Sequence, residues 1–213
     1  MKISTDQKLA ALSSIFVAAL VAANLLGTKI TTILGVSVSV GIFAYPLTFL
    51  ITDAIEEVFD KEKAKHLMRG ALVAQILVLI IVAIAIKLPP AARFEQNDAY
   101  VSIFSNSVRI IIASLTAFFL SQTHDIWAFS FWKQKTHGRF LWLRNNLSTV
   151  VSQFIDTIIF MFIAFYQITP KFDVAFLFSL IIPYWLFKVA FALIDTPFVY
   201  GLVYWLKKDR QQE

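Results

Sequence analysis

The sequence predicts an all-α membrane protein, a bundle of six transmembrane helices forming a single transmembrane domain over residues 1–213. Hydrophobic residues make up 58% of the 213 residues, and 21 residues are phenylalanine. These apolar residues form long runs rather than the periodic stripes of soluble amphipathic helices. A bilayer core roughly 30 Å thick needs about 20 residues of helix. Six runs of this kind would leave a soluble chain almost no polar surface.

The apolar runs determine the bounds of the predicted helices. Basic or proline-containing segments separate one run from the next. The predicted helices lie at about 9–28, 39–59, 66–86, 105–131, 146–167 and 175–206. The first run could pass for a signal peptide, but five later runs favour its retention as a helix. The second is less sharply bounded, because the preceding segment "TKITTILGVSVSVG" is itself fairly apolar. The last measures roughly 48 Å as straight helix, so Pro183 and Pro197 predict a bend or a short interfacial piece at its start.

The distribution of lysine and arginine predicts the orientation of the bundle. Of the 19 basic residues, 13 fall at the termini and in the loops after the second and fourth helices, and five fall on the other side. Basic residues concentrate on the cytoplasmic side of membrane proteins. We therefore expect both termini of this multi-pass membrane protein in the cytoplasm. The formal charge of +5 is explained by these loops, and no nucleic-acid partner is expected.

Several kinds of site are missing from the sequence. The chain has no cysteine, no glycine-rich phosphate loop, no HExxH or GxSxG motif and no His cluster at metal spacing. We therefore predict no catalytic residue, no metal site, no cofactor and no ATP hydrolysis by this chain itself. Its chemistry must come from polar residues among the helices.

One polar pattern occurs twice inside the predicted helices. "SQTHDIWAF" at 121–129 and "SQFIDTIIF" at 152–160 share Ser-Gln, an Asp three residues after the Gln, and a Phe four residues after the Asp. Residues three apart lie on one helix face, so Gln122 pairs with Asp125 and Gln153 with Asp156. Counting about 1.5 Å per residue from the cytoplasmic ends puts both pairs roughly 10 to 17 Å deep. They are therefore expected to meet near the midplane of the bilayer.

Six further polar residues complete the predicted substrate-binding set inside the helices or at their ends. They are Asp53, Glu56, Gln75, Asp195, Lys188 and Asn24. Serine and amide side chains often hold membrane helices together, and Lys188 could reach outward to the interface. A carboxylate costs at least about 2.5 kcal/mol in a bilayer, and a purely structural hydrogen bond does not need its charge. The acids therefore predict a polar cavity that binds a ligand rich in hydrogen-bond donors.

Five segments together resemble a known family, the queuosine precursor transporters of the vitamin-uptake-transporter group. They are "NLLGTK" at 24–29, "FLITDAIEEVFDKEKA" at 49–64, "LSQTHDIWAFSFWKQKT" at 120–136, "LWLRNNLSTVVSQFIDTIIF" at 141–160 and "KVAFALIDTP" at 188–197. The paired SQxxD segments and the W-x-R between them are the specific part. Arg144 of that motif joins the predicted binding residues. The fold of the group is similar to the substrate-binding components of energy-coupling-factor vitamin transporters.

The resemblance implies import of 7-deazaguanine bases, which cells use to make the tRNA nucleoside queuosine. The expected substrates are 7-cyano-7-deazaguanine, 7-aminomethyl-7-deazaguanine or queuine, held between the fourth and fifth helices by the Asp/Gln pairs. Such a base offers N1–H and an exocyclic amine to a carboxylate, while O6 needs a donor such as an amide.

Other readings of the sequence stay open. The chain could be the vitamin-binding subunit of an energy-coupling-factor type transporter with separate ATPase partners, or an intramembrane enzyme that uses paired acids. Buried acids permit coupling to protons, although incorporation of the base into tRNA could also drive its uptake. The sequence leaves the oligomeric state open, a homo-oligomer included.

Overall fold

Helices dominate the computed structural model, which describes residues 4–27, 29–33, 36–105, 107–167, 170 and 172–210. The α-helices are α1 Thr5–Leu26, α2 Tyr45–Val58, α3 Lys61–Lys87, α4 Asn97–Ser105, α5 Ser107–Lys135, α6 Leu141–Phe165 and α7 Val174–Arg210. Strands β1 Ile30–Ile33 and β2 Val36–Ser39 form an antiparallel hairpin, and a 3-10 helix follows at Val40–Phe43. Among the described residues, five helical regions are long and apolar enough to cross a membrane: Thr5–Leu26, Lys61–Lys87, Asn97–Lys135, Leu141–Phe165 and Val174–Lys208.

The second predicted helix, at 39–59, is wrong in its first part. The hairpin and the 3-10 helix take up its beginning, and α2 has 14 residues. Such a helix is about 21 Å long, shorter than the roughly 30 Å bilayer core. The strands read ITTI and VSVS, and β-branched residues favour extended backbone. Pro46 in the first turn of α2 fits a helix start, where its missing N–H leaves no bond unmade.

The third predicted loop and the last predicted helix also differ from the structure. The loop before the fourth predicted helix contains α4. At the end of the chain, α7 runs as one helix of 37 residues with Pro183 and Pro197 inside it, so the separate interfacial piece is wrong. At about 1.5 Å per residue this helix is roughly 55 Å long.

Side-chain caps and a glycine turn set several helix boundaries. At the start of α1, Ser4 and Gln7 exchange hydrogen bonds of 3.2 and 2.9 Å as a capping box. Asp60 accepts from the backbone N–H of Lys63 at 2.7 Å and caps α3. Between α5 and α6, Gly138 has φ of +74°, a conformation that a residue without Cβ adopts easily. These local signals place the ends of the helices that carry the polar residues.

The bundle exposes large apolar side chains on its surface and buries many polar side chains, unlike a typical soluble protein. Large apolar side chains of α3 are more than half exposed, including Val73, Leu77, Ile81 and Ile84, and this face suits lipid. Inside, Phe16, Phe118 and other apolar side chains pack together, next to a smaller set of buried polar residues. An exposed apolar rim around a polar interior is expected where the surrounding solvent is hydrocarbon.

Both termini lie at the same end of the bundle. The Lys8 ammonium group near the start of α1 donates to the carbonyl oxygen of Trp205 near the end of α7 and lies 4.5 Å from the centre of its ring. We call this the terminal end, and the opposite end, which holds the β-hairpin, the hairpin end. Gly41 of the 3-10 helix approaches α1 so closely that a Cβ there would lie 2.8 Å from the carbonyl oxygen of Ala23.

The charge distribution predicts that the terminal end faces the cytoplasm. Because the chain has no cysteine, a thiol reagent can label a single-cysteine variant only at the introduced residue. The labelling then shows on which side of the membrane that residue lies. Glu95 in the loop before α4 and Gln134 near the end of α5 are both exposed. A membrane-impermeant maleimide should label Glu95→Cys in intact cells and Gln134→Cys only after lysis. The reverse pattern would show an inverted bundle, and labelling of both in intact cells would contradict the crossing of α5.

Candidate functional site

Buried polar side chains from five helices lie in the interior of the bundle. Nine of them belong to the predicted set or lie beside it, each at most 8% exposed: Asp53, Glu56, Gln75, Gln122, Asp125, Asn145, Gln153, Asp156 and Lys188. They come from α2, α3, α5, α6 and α7. In the described part of the chain, no group of three or more His, Cys, Asp or Glu residues could hold a metal ion. These buried side chains offer hydrogen-bond donors and acceptors inside the bundle.

A cavity lies between α2, α6 and α7, and we call it the central cavity. Its polar lining residues are Tyr45, Asp53, Asn145, Thr149, Gln153, Lys188 and Asp195. Its apolar wall includes Phe49 and Phe191. The space between its lining atoms is about 430 Å³, which includes crevices too thin for a whole water molecule and space open to the surroundings. Side chains must therefore move apart before a bicyclic ligand can enter, and the structure represents a closed state.

Several buried oxygen atoms around the central cavity lack a hydrogen-bond donor. Among the described residues, Asp53 Oδ1, Asn145 Oδ1, Gln153 Oε1 and Thr149 Oγ1 have no partner. Leaving a buried polar atom unsatisfied costs about 1–3 kcal/mol. A ligand with several N–H groups would remove this cost on binding.

A buried ion pair forms one wall of the central cavity. Lys188 Nζ of α7 lies 2.6 Å from Asp156 Oδ2 of α6, and their side chains are 8% and 4% exposed. The rings of Tyr45 and Tyr184 lie 5.5 and 5.1 Å from the Lys188 ammonium group. Ser121 donates to the other carboxylate oxygen of Asp156 at 3.4 Å. The lysine is therefore neutralised by a carboxylate and covered by aromatic rings.

A second cavity, the hairpin-end cavity, lies on the other side of this ion pair. The space between its lining atoms is about 500 Å³, part of it open to the surroundings, and the lining includes Asn24, Gly27, Ser39, Ser114, Asp156 and Tyr184. Ile42, Tyr45 and Lys188 line both cavities, so these three side chains form the partition. Asn24 accepts a hydrogen bond from Ser114, whose hydroxyl also lies 3.3 Å from that of Tyr45. This chain of polar contacts ties the partition to α1 and α5.

The first copy of the repeated pattern lies behind the central cavity. Gln122 Nε2 donates to Thr52 Oγ1 at 2.9 Å, which joins α5 to α2. Both carboxylate oxygens of Asp125 and of Glu56 are buried without a donor among the described residues. Neither acid lines either cavity.

A cluster of charges closes the terminal end. Glu57 of α2 lies 2.9 Å from Arg144, 3.2 Å from Lys133 and 3.6 Å from Lys207, so it connects α5, α6 and α7. Lys133 also donates to the carbonyl oxygens of Glu56 and Glu57, at 3.2 and 3.1 Å. Cations suit these carbonyls because the end of a helix carries partial negative charge. Arg144 is 1% exposed and is held by this cluster.

The structure thus divides the predicted binding residues into three groups. Asp53, Gln153, Asp195 and Lys188 line the central cavity, and Asn24, Asp156 and again Lys188 line the hairpin-end cavity. Gln75, Gln122, Asp125, Glu56 and Arg144 line neither cavity. The cavity therefore lies between α2, α6 and α7, whereas the sequence predicted a slot between the fourth and fifth helices, α5 and α6.

Three polar lining residues were missed by the sequence analysis. Asn145 and Thr149 precede Gln153 by eight and four residues, which places all three on one face of α6. Extending the face of Gln153 toward the start of the helix would have found them. Tyr45 gives no such signal, because no sequence pattern distinguishes it from the many other aromatic residues of the chain.

Comparison with known proteins finds related sequences. Residues 39–202 match the family described as "Putative vitamin uptake transporter". A "Probable queuosine precursor transporter" of Bacillus subtilis (strain 168) is 30% identical over 194 residues, 91% of this chain and 83% of that protein. The "Queuosine precursor transporter" of Escherichia coli (strain K12) is 26% identical over 172 residues, 81% of this chain and 75% of that protein. No solved structure gives a significant match.

Removing one partner of the buried pair between Lys188 and Asp156 should lower the stability of the protein strongly. Lys188→Met leaves the Asp156 carboxylate buried without its cation, and such a change costs about 3–5 kcal/mol. Adding Asp156→Asn should restore most of that loss, because the unpaired charge is gone. The measurement is the free energy of unfolding of the purified protein in detergent.

An exposed ion pair provides the matched control. Lys65 and Glu62 also lie 2.7 Å apart, with side chains 31% and 63% exposed, and surface pairs contribute about 0–1 kcal/mol. Lys65→Met should therefore change stability little. Equal losses from Lys188→Met and Lys65→Met would contradict the assigned role of the buried pair.

Proposed function

The chain belongs to the vitamin uptake transporter family, and on this premise we propose that it carries queuosine precursor bases through the membrane. The substrates proposed are 7-cyano-7-deazaguanine and 7-aminomethyl-7-deazaguanine. The names of its relatives in Bacillus subtilis and Escherichia coli support the substrate class. The observation that carries the proposal is the central cavity, where a carboxylate and two amides present buried oxygens without donors.

The edge of a deazaguanine base matches this set of groups. Its N1–H and 2-amino group are adjacent donors, which one carboxylate accepts with two hydrogen bonds. Asp53 is the acid that lines the cavity and is almost fully buried, at 1% exposed. The amides of Asn145 and Gln153 each carry a donor as well as an acceptor, so either can rotate to serve O6.

The shape of the cavity also favours a flat ligand. The rings of Phe49, Phe191 and Tyr45 line it, and stacking of a base on an aromatic ring contributes about 1–3 kcal/mol in other base-binding proteins. A planar base needs the walls to part by little more than the thickness of one ring. A bulky, rounded molecule of equal volume would need a larger rearrangement.

Two ion-pair systems close the cavity on opposite sides in this state. The partition of Ile42, Tyr45 and Lys188, with Lys188 paired to Asp156, separates it from the hairpin-end cavity. The Glu57 cluster lies between it and the terminal end. Transport requires each barrier to open while the other stays closed. With the terminal end in the cytoplasm, import runs from the hairpin-end cavity, past Lys188, to the central cavity and then past Glu57.

Removing the charge of Asp53 should abolish most of the uptake. Asp53→Asn replaces one acceptor by a donor that faces the donors of the base, and a hydrogen bond to a charged group contributes about 1.5–3 kcal/mol. We expect uptake of the radiolabelled base at low concentration to fall at least about tenfold. Asp98→Asn, at an exposed position in α4, should leave uptake unchanged at equal amounts of membrane protein. Normal uptake by Asp53→Asn would contradict the proposed site.

The two glutamines of the repeated pattern offer a matched pair, since only Gln153 lines a cavity. Gln153→Ala should raise the KM for the base about tenfold, because it removes a group that contacts it. Gln122→Ala should leave KM within about twofold while lowering stability, because Gln122 bonds Thr52 rather than the base. A larger effect of Gln122→Ala on KM would move the binding site to the α5 side of α6.

A further inference from the structure

More acidic than basic side chains line the central cavity. The charged residues that line it are Asp53, Asp195 and Lys188. Lys188 is neutralised by Asp156 at 2.6 Å on the other side of the partition. In the described part of the chain, neither Asp53 nor Asp195 lies within ion-pair distance of a cation. The wall of the cavity therefore carries two acids without a cation beside them among the described residues.

Other cations of the bundle are held elsewhere. Lys133, Arg144 and Lys207 all contact Glu57 at the terminal end. The Lys188 ammonium group is also covered by the rings of Tyr45 and Tyr184, which weakens its repulsion of a positive ligand. A cation that enters the cavity would meet two acids and no exposed positive group among the described lining residues.

Hydrogen bonding points to the same kind of ligand. The unpartnered atoms around the cavity, Asp53 Oδ1, Asn145 Oδ1, Gln153 Oε1 and Thr149 Oγ1, are all oxygens that can accept. An ammonium group brings three donors and no acceptor, whereas a nitrile brings an acceptor and no donor. A nitrile nitrogen near these oxygens would add one more acceptor to a site already short of donors.

The two acids come from different helices and differ in burial. Asp53 lies on α2 and is almost fully buried, while Asp195 lies on α7 and is less deeply buried. Asp195 is seven residues after Lys188, so both lie on the same face of α7. One acid can thus accept the ring edge while the other accepts a substituent on the opposite side of a flat base. Because Asp195 is less buried, a charged substituent next to it loses less of its hydration.

We infer that the central cavity selects a cationic base, binding 7-aminomethyl-7-deazaguanine in preference to 7-cyano-7-deazaguanine, with Asp195 as the acceptor for the aminomethyl group. The inference rests on the proposed function and adds the substrate that this site prefers. Asp195 is therefore a specificity-determining residue, while Asp53 serves the ring edge that both bases share.

Competition binding to the purified full-length protein tests this. The radiolabelled aminomethyl base is displaced by each unlabelled base in turn, and the labelled cyano base is used in the reciprocal experiment. We expect the aminomethyl base to bind at a concentration at least about tenfold lower than the cyano base, the size expected for one added charged hydrogen bond. Equal binding, or tighter binding of the cyano base, overturns the inference but leaves the proposed function standing.

Variants of Asp195 assign the preference to this residue. Asp195→Asn should weaken binding of the aminomethyl base about tenfold and change that of the cyano base less than about threefold, so that the preference disappears. Asp195→Glu keeps the charge and should keep the preference, and the exposed Asp98→Asn should behave as wild type. Equal weakening of both bases by Asp195→Asn overturns the assignment of Asp195. Binding of neither base to the wild-type protein overturns the proposed function itself.

Discussion

The cost of charge in hydrocarbon governs this structure. A carboxylate inside a bilayer needs a cation, a set of donors or water, or it destabilises the helix that carries it. The bundle meets this need with a cation at two of its buried or half-buried acids, Asp156 and Glu57. Elsewhere in the interior, Asp53 Oδ1 and both carboxylate oxygens of Glu56 and Asp125 have no donor among the described residues. The paired acids hold helices together, and of the three acids without a donor only Asp53 lines one of the two cavities.

These charged groups follow one another along the bundle. From the hairpin end they run from the Lys188 and Asp156 pair, through the acids of the central cavity, to the Glu57 cluster. Helix α2 takes part at each level, through Tyr45, Asp53 and Glu57. A small rotation of α2 would therefore change contacts in the partition, the cavity and the cluster together. Such coupling of barriers through one rigid element is what alternate opening of two sides requires.

The sequence predicts the long helices well and the faces of those helices poorly. Runs such as 66–86 and 146–167 are long enough that composition alone identifies them, and the structure has α3 and α6 there. The hairpin was missed because its strands have four residues each and merge with an apolar run.

The depth of Gln122 and Gln153 follows from counting residues, but only packing decides that Gln153 faces the cavity and Gln122 faces Thr52. Likewise, adjacent Glu56 and Glu57 cannot be told apart by spacing, and the structure gives the cation cluster to Glu57.

The shortness of α2 makes the two ends of the protein mechanically unequal. At the hairpin end the chain continues as a ribbon of two short strands, and an isolated two-stranded ribbon has little stability of its own. At the terminal end, opening means separating four charged side chains and the packed interior around Phe16 and Phe118. Local opening occurs most readily where few buried contacts must be broken. Opening the bundle at the hairpin end therefore breaks fewer contacts than opening it at the terminal end.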